Sequence, residues 1–510
     1  MADLSDVSTS LALGLVAVTL SLFWLKRKNT SRDPPGPPVL IPGFGHLLQM
    51  SSQPVQQLRL LRQRYGDVFR LYMGSYPVVI VSGAEMIADV LQTRGAEFSH
   101  RPPSFLAETL ANNKGLLNTS GSTWLEQRKT MIRTLKMQAA TGGHLETYIG
   151  KAAQRLTTQF KSLVDSGQAD MLDVAPFIKR AVFFVSFSLA FGRQLDFDSE
   201  FLISYANHYD HFFRCLNLAV LTAFMPWISW LPGDLVGYKK CKETAEIIVK
   251  NYVEPEIARL KSIVNNNIED DKDSSTVAPF CLASVYIDEM RQKEREGTPT
   301  CLSDEHLPIT ISDVIAGSFD TMSSGLCWML LYLIHYTDVQ ETCRREILDN
   351  DCDLDIAKYV YTQAVIMEVQ RHANMAPMPP AHCCDKDTEI GGYFVPKNTA
   401  IIINTDSLLM GPEVGDDPTA FRPERFIDDE GKLHIPKWFI PFSAGKRMCI
   451  GMAVARKELL GFIIELLSKF QFSAPKVNGR ECMPPLEGIN GISHSPKPFH
   501  LCVTLAGQRK

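Results

Sequence analysis

The sequence lacks the motifs of several common protein classes. No two of its twelve cysteines are separated by two residues, which excludes a zinc ribbon and a thioredoxin-type redox site. Charge of neither sign is in large excess, because 52 Lys and Arg stand against 57 Asp and Glu for a net charge of -5. A nucleic-acid footprint over the whole chain is therefore not expected. Gly43-Phe44-Gly45 continues as His-Leu-Leu, so a dinucleotide-binding fingerprint is also missing.

Three other candidate sites are incomplete. Gly445-Lys446 is followed by Arg447, whereas a phosphate-binding loop requires Ser or Thr at that place. The segment Gly491 to Ser495 lacks the closing glycine of a nucleophile elbow, so a serine hydrolase is unsupported. His382 is followed by two cysteines, but no second ligand pair with metal spacing accompanies them, and a zinc site is not predicted.

The chain does contain ample material for a hydrophobic core. Hydrophobic residues make up 45% of the 510 residues and charged residues 21%, with 32 Gly and 30 Pro, which is typical of a globular protein. The length permits one large domain or about three ordinary ones. Most cysteines from Cys215 to Cys384 lie in apolar or helical stretches. This placement is typical of reduced, buried thiols in a reducing compartment.

The N-terminus has the pattern of a retained membrane anchor. Leu11 to Leu25 is uncharged, and Val7 extends the uncharged span to 19 residues, about enough to cross a bilayer. The basic residues Lys26 to Lys28 follow this span rather than precede it, which argues against a cleaved signal peptide and places the rest of the chain in the cytosol. The prolines of Asp33 to Pro38 favour an extended spacer. The predicted divisions are an anchor over 1–28, a proline-rich hinge over 29–45 and a globular domain over 46–510.

Hydrophobic periodicity predicts a single, mainly α domain with a minor β-sheet. A period-2 pattern over Asp67 to Tyr72 and Tyr76 to Val81, around Gly74-Ser75, predicts a β-hairpin. The polar segments Asn265 to Ser275 and Lys293 to Glu305 are predicted to be surface loops. The clearest helical patterns cover Gly150 to Leu163, Ala245 to Val264, Ile311 to Tyr336, Asp355 to Arg371 and Met452 to Phe470.

The clearest candidate site is a cysteine between two glycines near the C-terminus. Phe442 to Gly451 has the pattern F-x-x-G-x-R-x-C-x-G and precedes an apolar helix. The glycines allow a tight turn close to something flat, and Arg447 adds a permanent positive charge. A thiolate of Cys449 would be stabilised by the N–H groups at the helix start, and haem iron is the metal that takes a lone Cys thiolate. A structural cysteine in a glycine-rich loop is the alternative.

With this loop and four further motifs, the sequence resembles the cytochrome P-450 family over essentially its whole length. Glu368 to Arg371 matches the family's E-x-x-R motif, and Phe421 to Phe426 matches its P-E-R-F segment. The resemblance implies that Arg425 joins them in a buried cluster that holds the cysteine loop. A charge pair three residues apart is otherwise commonly a solvated helix face.

The resemblance also implies a set of contacts to the haem propionates. Trp124 and Arg128 match the family's W-x-x-x-R motif, in which the indole N–H and the guanidinium group bind one propionate. Arg101 and His382 occupy positions at which some relatives contact a propionate. A core tryptophan with a surface arginine, and an ordinary buried or surface histidine, are the alternatives.

A fifth motif lies inside the helix predicted from Ile311. Gly, Asp and Thr are poor choices for a buried helix interior, yet Ala316 to Thr321 reads A-G-S-F-D-T. The similar family segment, [AG]-G-x-[DE]-T, implies a local opening over the iron, where Thr321 donates a hydrogen bond and Asp320 relays protons. Ser318 replaces the second glycine, so we expect it to narrow this groove or to add a donor.

Within the family, the sequence is similar to the animal microsomal type, near the drug-metabolising and steroid 17-hydroxylase branches. The resemblance implies haem b, monooxygenation of a small apolar steroid, lipid or xenobiotic, and electrons from NADPH-cytochrome P-450 reductase, with cytochrome b5 as a second candidate partner. It also implies the endoplasmic reticulum membrane, with a single-pass anchor and a cytosolic catalytic domain. The apolar stretch from Phe212 to Trp230 would roof the pocket and touch the membrane, or pack in the core.

Two other functional classes remain open from the sequence. A haem-thiolate isomerase or dehydratase would rearrange an oxygenated lipid without a reductase, but such relatives commonly lose the acid-alcohol pair that Asp320 and Thr321 retain. A non-catalytic haem-binding protein would need neither this pair nor an electron donor.

Overall fold

Helices form most of the molecule, and short strands form small sheets beside them. The computed structural model describes residues 32–507 except 40, 42, 51–52, 141–142, 270–278 and 353–354. The predicted anchor over 1–28 lies outside the described residues. A mainly α fold with a minor β-sheet is therefore confirmed, while the anchor stays a prediction.

The described helices are numbered in chain order. They are α1 (Leu47–Met50), α2 (Pro54–Tyr65), α3 (Ala84–Ala88), α4 (Phe105–Ala111), α5 (Gly115–Asn118), α6 (Gly121–Ala139), α7 (His144–Asp165), α8 (Ala175–Phe191), α9 (Glu200–Ala219), α10 (Leu221–Phe224), α11 (Tyr238–Ile247), α12 (Glu254–Glu269), α13 (Leu282–Arg295), α14 (Leu307–His335), α15 (Thr337–Asp349), α16 (Val360–Ala373), α17 (Asp406–Leu409) and α18 (Met452–Lys469). π-Helical segments cover Asp89–Thr93 and Ile248–Val253, and 3-10 turns cover Pro226–Trp230, Ile356–Lys358, Pro412–Val414, Pro423–Phe426 and Gly445–Arg447.

The largest sheet has three strands. β1 (Val68–Met73) pairs antiparallel with β2 (Tyr76–Val81), which confirms the predicted hairpin, and β5 (Ala400–Ile403) pairs parallel with β2. Four antiparallel pairs complete the described strands: β3 (Thr388–Ile390) with β4 (Tyr393–Val395), β6 (Phe470–Ser473) with β11 (Cys502–Leu505), β7 (Lys476–Val477) with β8 (Arg480–Glu481), and β9 (Gly488–Asn490) with β10 (His494–Pro496).

Both faces of the three-stranded sheet are buried. Successive side chains of a strand point to opposite faces, and accordingly Val79 belongs to one buried cluster while Val78 belongs to another. The Val79 cluster also contains Leu91 and Ala444. The cysteine-bearing loop therefore packs against one face of the sheet.

Helix α14 runs through the main hydrophobic core. Every residue from Met322 to Ile334 is buried, as expected for a helix that is apolar on all sides. It is also the one helix in the described part of the chain that is long and apolar enough to cross a membrane, but 67% of its most apolar window is buried inside the protein. Here the helix serves as a core element that carries the Asp320 segment.

Two predicted helices have different limits in the structure. The helix predicted from Asp355 begins at Val360, because Asp355 caps a separate 3-10 turn. The pattern from Ala245 to Val264 is part of a longer helical run that contains a π-helical segment, Ile248–Val253. Pro255 is the second residue after that segment. A proline lacks an N–H and clashes with the carbonyl four residues earlier, which explains the wider turn before it.

Both predicted surface loops start within helices, and residues 270–275 of the first one lie outside the described residues. Residues 265–269 continue helix α12, and residues 293–295 complete helix α13. At Lys293 the polar composition comes from ion pairs on a helix surface, where the ammonium group lies 3.2 Å from Glu289 one turn earlier. Charged residues with this spacing stabilise a helix.

The proline-rich segment is extended and packs against the sheet. The backbone N–H of Arg70 donates to the Pro35 carbonyl at 2.7 Å. A Cβ on Gly36 would stand 2.1 Å from the Arg70 carbonyl oxygen, so the close approach requires glycine. The segment is thus attached to β1 at this point.

The predicted Glu-Arg-Arg cluster is present and buried. Glu368 and Arg371 are fully buried, and the Nε of Arg371 lies 2.7 Å from the Glu368 carboxylate. The Nε of Arg425 lies 3.5 Å from the same carboxylate. Arg371 also donates to the carbonyls of Leu409 at 2.9 Å and Pro418 at 2.7 Å. The cluster therefore ties helix α16 to the chain that leads to the cysteine loop.

Aromatic packing continues this connection. Phe426 follows Arg425 directly and contacts Phe439 with ring centroids 4.7 Å apart. Phe439 stands three residues before Phe442, where the cysteine motif begins. The Glu-Arg-Arg cluster therefore also fixes the position at which the cysteine loop begins.

We predict that Glu368→Gln strongly destabilises the fold at neutral pH. Burial alone would raise the pKa of Glu368, but hydrogen bonds from Arg371 and His372, together with the charge of Arg371, lower it to about 2. Breaking a buried ion pair costs about 3–5 kcal/mol. Because the folded pKa is depressed, this stabilisation is present above the ordinary pKa of 4.5 and is lost as the pH falls towards 2.

The measurement is the free energy of unfolding as a function of pH. Glu430→Gln is the control, because Glu430 pairs with Lys432 on the exposed surface and such pairs contribute about 0–1 kcal/mol. Equal effects of the two substitutions at pH 7 would contradict the prediction.

Candidate active site

The cysteine loop depends on a glycine that no other residue can replace. Gly445 has φ +71°, and a Cβ there would stand 1.6 Å from the Leu91 carbonyl oxygen. The 3-10 turn Gly445–Arg447 follows this contact, and the backbone N–H of Cys449 then donates to the Phe442 carbonyl at 3.0 Å. The predicted residue Phe442 thus closes the loop through its backbone.

The Cys449 thiol is accessible although protein surrounds it. Its side chain is exposed, yet burial by the surrounding protein raises the pKa of the thiol. The backbone N–H of Gly451 and the charge of Arg128 act in the opposite direction and lower it. Both groups would stabilise a thiolate on the inner side of the loop.

Three arginines around this loop bind backbone carbonyls. Arg447 donates to Ser99 at 2.7 Å and to Thr119 at 2.5 Å. Arg128 donates to the carbonyl of Met448, next to the cysteine, at 2.5 Å. The third, Arg101, donates to the carbonyls of Leu117 at 3.0 Å, Pro380 at 2.8 Å and Ala381 at 2.7 Å. The structure therefore brings together the three predicted arginines from distant parts of the sequence.

These arginines form a cluster of positive charge without a carboxylate partner in the described part of the chain. Burial, followed by the charges of Arg101 and Arg128, lowers the pKa of Arg447 to about 9. Burial and Arg128 lower the pKa of Arg101 to about 10, although the nearby Cys383 acts against this. The three arginines are half-buried, and charges withdrawn from water are normally paired, so the cluster is suited to an anion that the described residues do not supply.

Trp124 lies between two of these arginines. The guanidinium carbon of Arg447 stands 4.0 Å from the centre of the indole ring, and that of Arg128 stands 5.6 Å away. Cation–π contacts of this kind hold the guanidinium planes in place. No acceptor for the indole N–H occurs among the described residues, which leaves this donor available to the same anion.

His382 lies beside the cluster as a neutral imidazole. Its Nδ1 donates to the Phe98 carbonyl at 2.9 Å, since a carbonyl can only accept. Burial, and then the charges of Arg101 and Arg447, lower its pKa to about 4. Its Nε2 thus carries no proton at neutral pH, and His382 fits a direct propionate contact less well than the arginines do.

The Asp320 segment forms part of helix α14. Thr321 Oγ1 donates to the Gly317 carbonyl at 2.6 Å, and Asp320 accepts a hydrogen bond from Ser493. Nothing stands within 4 Å of the place where a Cβ on Gly317 would be, and this glycine is exposed. The helix thus has an open surface one turn before Thr321.

The expectation that Ser318 narrows this groove is wrong. Its hydroxyl lies 2.9 Å from that of Ser186 on helix α8, and the Ser186 hydroxyl also lies 2.9 Å from the Val182 carbonyl. Ser318 is one position beyond Gly317, about 100° further around the helix. It therefore joins α14 to α8.

Sequence reasoning missed two side chains that shape the site. Asp313 Oδ2 accepts the backbone N–H groups of Leu116 at 2.8 Å and Leu117 at 2.9 Å, and burial raises the pKa of Asp313 to about 7. It thereby supports helix α5, in which the Leu117 carbonyl accepts from Arg101 and the Leu116 carbonyl accepts from Arg447 at 3.5 Å. The sequence contained a signal for Asp313, because an acidic residue within an apolar helical segment needs a specific partner. Ser493, the second missed residue, gave no such signal.

The donor set fits haem. A single thiol in a glycine-bracketed loop suits a flat metal complex that needs one axial ligand. The guanidinium groups and the free indole N–H suit the two carboxylates that such a macrocycle carries. The open surface at Gly317 provides room beside an acid and an alcohol.

The comparisons with known proteins agree with this fit. The family model for cytochrome P450 matches residues 34–503. The chain is 31% identical over 513 residues to vitamin D(3) 25-hydroxylase of Sus scrofa, with 98% of each chain covered. It is 30% identical over 497 residues to cytochrome P450 2D9 of Mus musculus, with 95% of this chain and 94% of that one covered. Over 508 residues it is 28% identical to cytochrome P450 1A1 of Sparus aurata, with 96% and 93% covered.

These matches extend over nearly the whole chain and include the cysteine loop, the ion-pair cluster and the segment on helix α14. The chain belongs to the cytochrome P450 family of haem-binding monooxygenases.

Proposed function

We propose that this chain is a membrane-bound monooxygenase that inserts one oxygen atom from O2 into a small apolar steroid, lipid or xenobiotic. The observation that carries the proposal is the accessible Cys449 thiol beside half-buried arginines that have no carboxylate partner in the described residues. The similarity to a protein named vitamin D(3) 25-hydroxylase supports hydroxylation of an apolar molecule.

The proposed cofactor is haem b, with Cys449 as its axial ligand. When bound, haem supplies the oxygen and electron-transfer chemistry. Trp124, Arg101, Arg128 and Arg447 would hold its propionates through charge-assisted hydrogen bonds. Two further residues would line the cofactor pocket. His382 would lie beside the arginines, and Phe442 would lie at the start of the cysteine loop.

Asp320 and Thr321 are the proposed catalytic residues. Burial raises the pKa of Asp320, while the Ser493 hydrogen bond and Lys179 lower it and Asp210 raises it. An acid with opposing influences of this kind can take up and release a proton at Oδ, as general acid-base catalysis requires. The Thr321 hydroxyl, now bonded to the Gly317 carbonyl, would turn to donate its proton on the open side of the helix.

The apolar stretch from Phe212 to Trp230 divides into an inner and an outer part. Phe213 stacks on Phe319 of helix α14 with ring centroids 6.5 Å apart, which supports an apolar roof next to the site. Trp227 and Trp230 are 41% and 80% exposed, and Trp227 contacts Phe44 near the N-terminus. Exposed aromatic rings of this kind favour contact with a membrane.

We propose NADPH-cytochrome P-450 reductase as the electron donor, with cytochrome b5 as a second candidate. The chain carries no fingerprint for a nicotinamide or flavin of its own, and Lys446 is exposed on the cysteine side, where an acidic partner could dock. The proposed location is the endoplasmic reticulum membrane, with the anchor over 1–28, the proline-rich segment over 29–45 and the catalytic domain over 46–510 in the cytosol.

The first test concerns the axial ligand. Cys449→His should retain some haem but lose the red-shifted absorption of the reduced carbonyl complex, because that band requires a thiolate. Cys482→Ser is the control, since Cys482 is also exposed but lies outside the loop. Persistence of the band in Cys449→His would exclude this cysteine as the ligand.

The second test concerns the membrane. Deleting Met1 to Lys28 should release most of the protein into the soluble fraction with haem incorporation intact. Replacing Trp227 and Trp230 with Ser in this shortened chain should remove the remaining association with lipid vesicles. Leu348→Ser should not, because this exposed leucine lies on α15, outside the Phe212–Trp230 stretch. Failure of the shortened chain to fold would show that the segment belongs to the core.

The third test distinguishes an oxygenase from an isomerase or a carrier. Thr321→Ala and Asp320→Asn should keep haem and substrate affinity but divert NADPH electrons to hydrogen peroxide and water. The dependent step should slow by about 10²- to 10⁴-fold. Ser323→Ala is the control, since its hydroxyl makes the same i−4 hydrogen bond on the buried side of the helix.

The assay compares NADPH consumed with product formed in a system reconstituted with reductase. Product without NADPH would identify an isomerase, and no product under any condition would identify a carrier. Full coupling in both variants would remove Asp320 and Thr321 from the proposed proton route.

A further inference from the structure

One face of helix α14 holds the β9–β10 hairpin through three polar contacts. Asp320, Ser324 and Trp328 are spaced by four residues, so they lie on one side of the helix. Asp320 accepts from the Ser493 hydroxyl, Ser324 bonds to the Ser495 hydroxyl at 2.6 Å, and Trp328 Nε1 donates to the His494 carbonyl at 3.0 Å. Three consecutive residues of the hairpin thus meet three successive turns of the helix.

Other contacts fix the hairpin independently of Ser493. The backbone N–H of His494 donates to the Met375 carbonyl at 2.9 Å, and the ring Nδ1 lies 2.6 Å from the Ala373 carbonyl. On the other side of the turn, Asn217 of helix α9 accepts the backbone N–H of Ile492 at 2.9 Å. The backbone on both sides of Ser493 is therefore held in place independently of the bond to Asp320.

Ser493 is the one side chain that donates a hydrogen bond to Asp320 among the described residues. Lys179 of helix α8 acts on Asp320 only through its charge, since its ammonium group forms an ion pair with Asp210 of helix α9. Ser493 is itself buried. A buried hydroxyl bonded to one carboxylate oxygen fixes the rotation of that carboxylate and favours its charged form.

We infer that Ser493 is a positioning residue for Asp320. Its hydroxyl holds Oδ2 and thereby leaves Oδ1 as the oxygen that takes up and releases the proton. This inference rests on the proposed role of Asp320 and adds a residue from a distant part of the chain to the site. Ser493 acts through Asp320 and does not itself touch the reacting atoms.

The direct test measures the protonation of Asp320 by infrared difference spectroscopy on the holoprotein. The carbonyl band of the protonated acid is identified by its loss in Asp320→Asn. Removing a hydrogen bond to a charged group should raise the pH midpoint of this band by about one to two units. We expect that shift in Ser493→Ala, and we expect Ser493→Thr to restore the midpoint.

Ser324→Ala is the matched control, since it removes a hydroxyl on the same helix face that bonds to Ser495, whereas Ser495 itself also lies 3.4 Å from the Ser493 hydroxyl. Hydrogen exchange of the 488–496 peptide should be the same in Ser493→Ala and the wild type, because the other contacts remain. An unchanged midpoint in Ser493→Ala, or an equal shift in Ser324→Ala, would overturn the inference.

A coupling assay separates this inference from the proposed function. We expect Ser493→Ala to lower product per NADPH most at acidic pH, to a value between wild type and Asp320→Asn. If Asp320→Asn stays fully coupled, the proposed role of Asp320 is wrong whatever Ser493 does. If Asp320→Asn loses coupling while Ser493→Ala keeps it at every pH, only the role of Ser493 is wrong.

Discussion

The partial burial of three positive charges that have no carboxylate partner in the described part of the chain is the constraint on which this structure depends. Each guanidinium group loses water on burial, and the protein offsets part of that cost with backbone carbonyls. Arg447 donates hydrogen bonds to the carbonyls of Ser99 and Thr119. Arg101 donates to the carbonyls of Leu117 and Pro380. Loops that are far apart in sequence are thus drawn to one place. The partial negative charges of these carbonyls do not neutralise three guanidinium groups. The site is therefore suited to a cofactor that carries two negative charges.

Helix α14 meets a second constraint, because it must be apolar enough for the core and still carry reactive groups. Its polar side chains are compatible with burial because each has a specific partner. Ser318 bonds to Ser186 of α8, Ser323 bonds back to its own helix, and Asp313 binds the backbone of α5. Only the side marked by Gly317 and Thr321 remains open. Polar groups without a role in chemistry thus orient the helix so that the reactive ones face the site.

Much of the local structure could be predicted from the sequence, because its causes are local. The β1–β2 hairpin follows from alternation around a turn, and the contact of Glu368 with Arg371 follows from helical spacing. The family resemblance supplied Arg425 and the propionate arginines. The parallel pairing of β2 with β5 could not be predicted, since about 320 residues separate the strands. The direction of the Ser318 side chain depended equally on where α8 packs.

Ser493 shows why a motif search can reject a functional residue. The segment Gly491 to Ser495 lacks the closing glycine of a nucleophile elbow, so no motif of that kind marks Ser493. A serine that positions an acid needs no local pattern; it needs a fixed backbone and a partner. Here the contact of His494 with helix α14 fixes the backbone of the hairpin. The partner is Asp320 on the same helix. The function of such a residue is defined by a contact across 173 positions of sequence, which becomes visible only when the two elements are packed together.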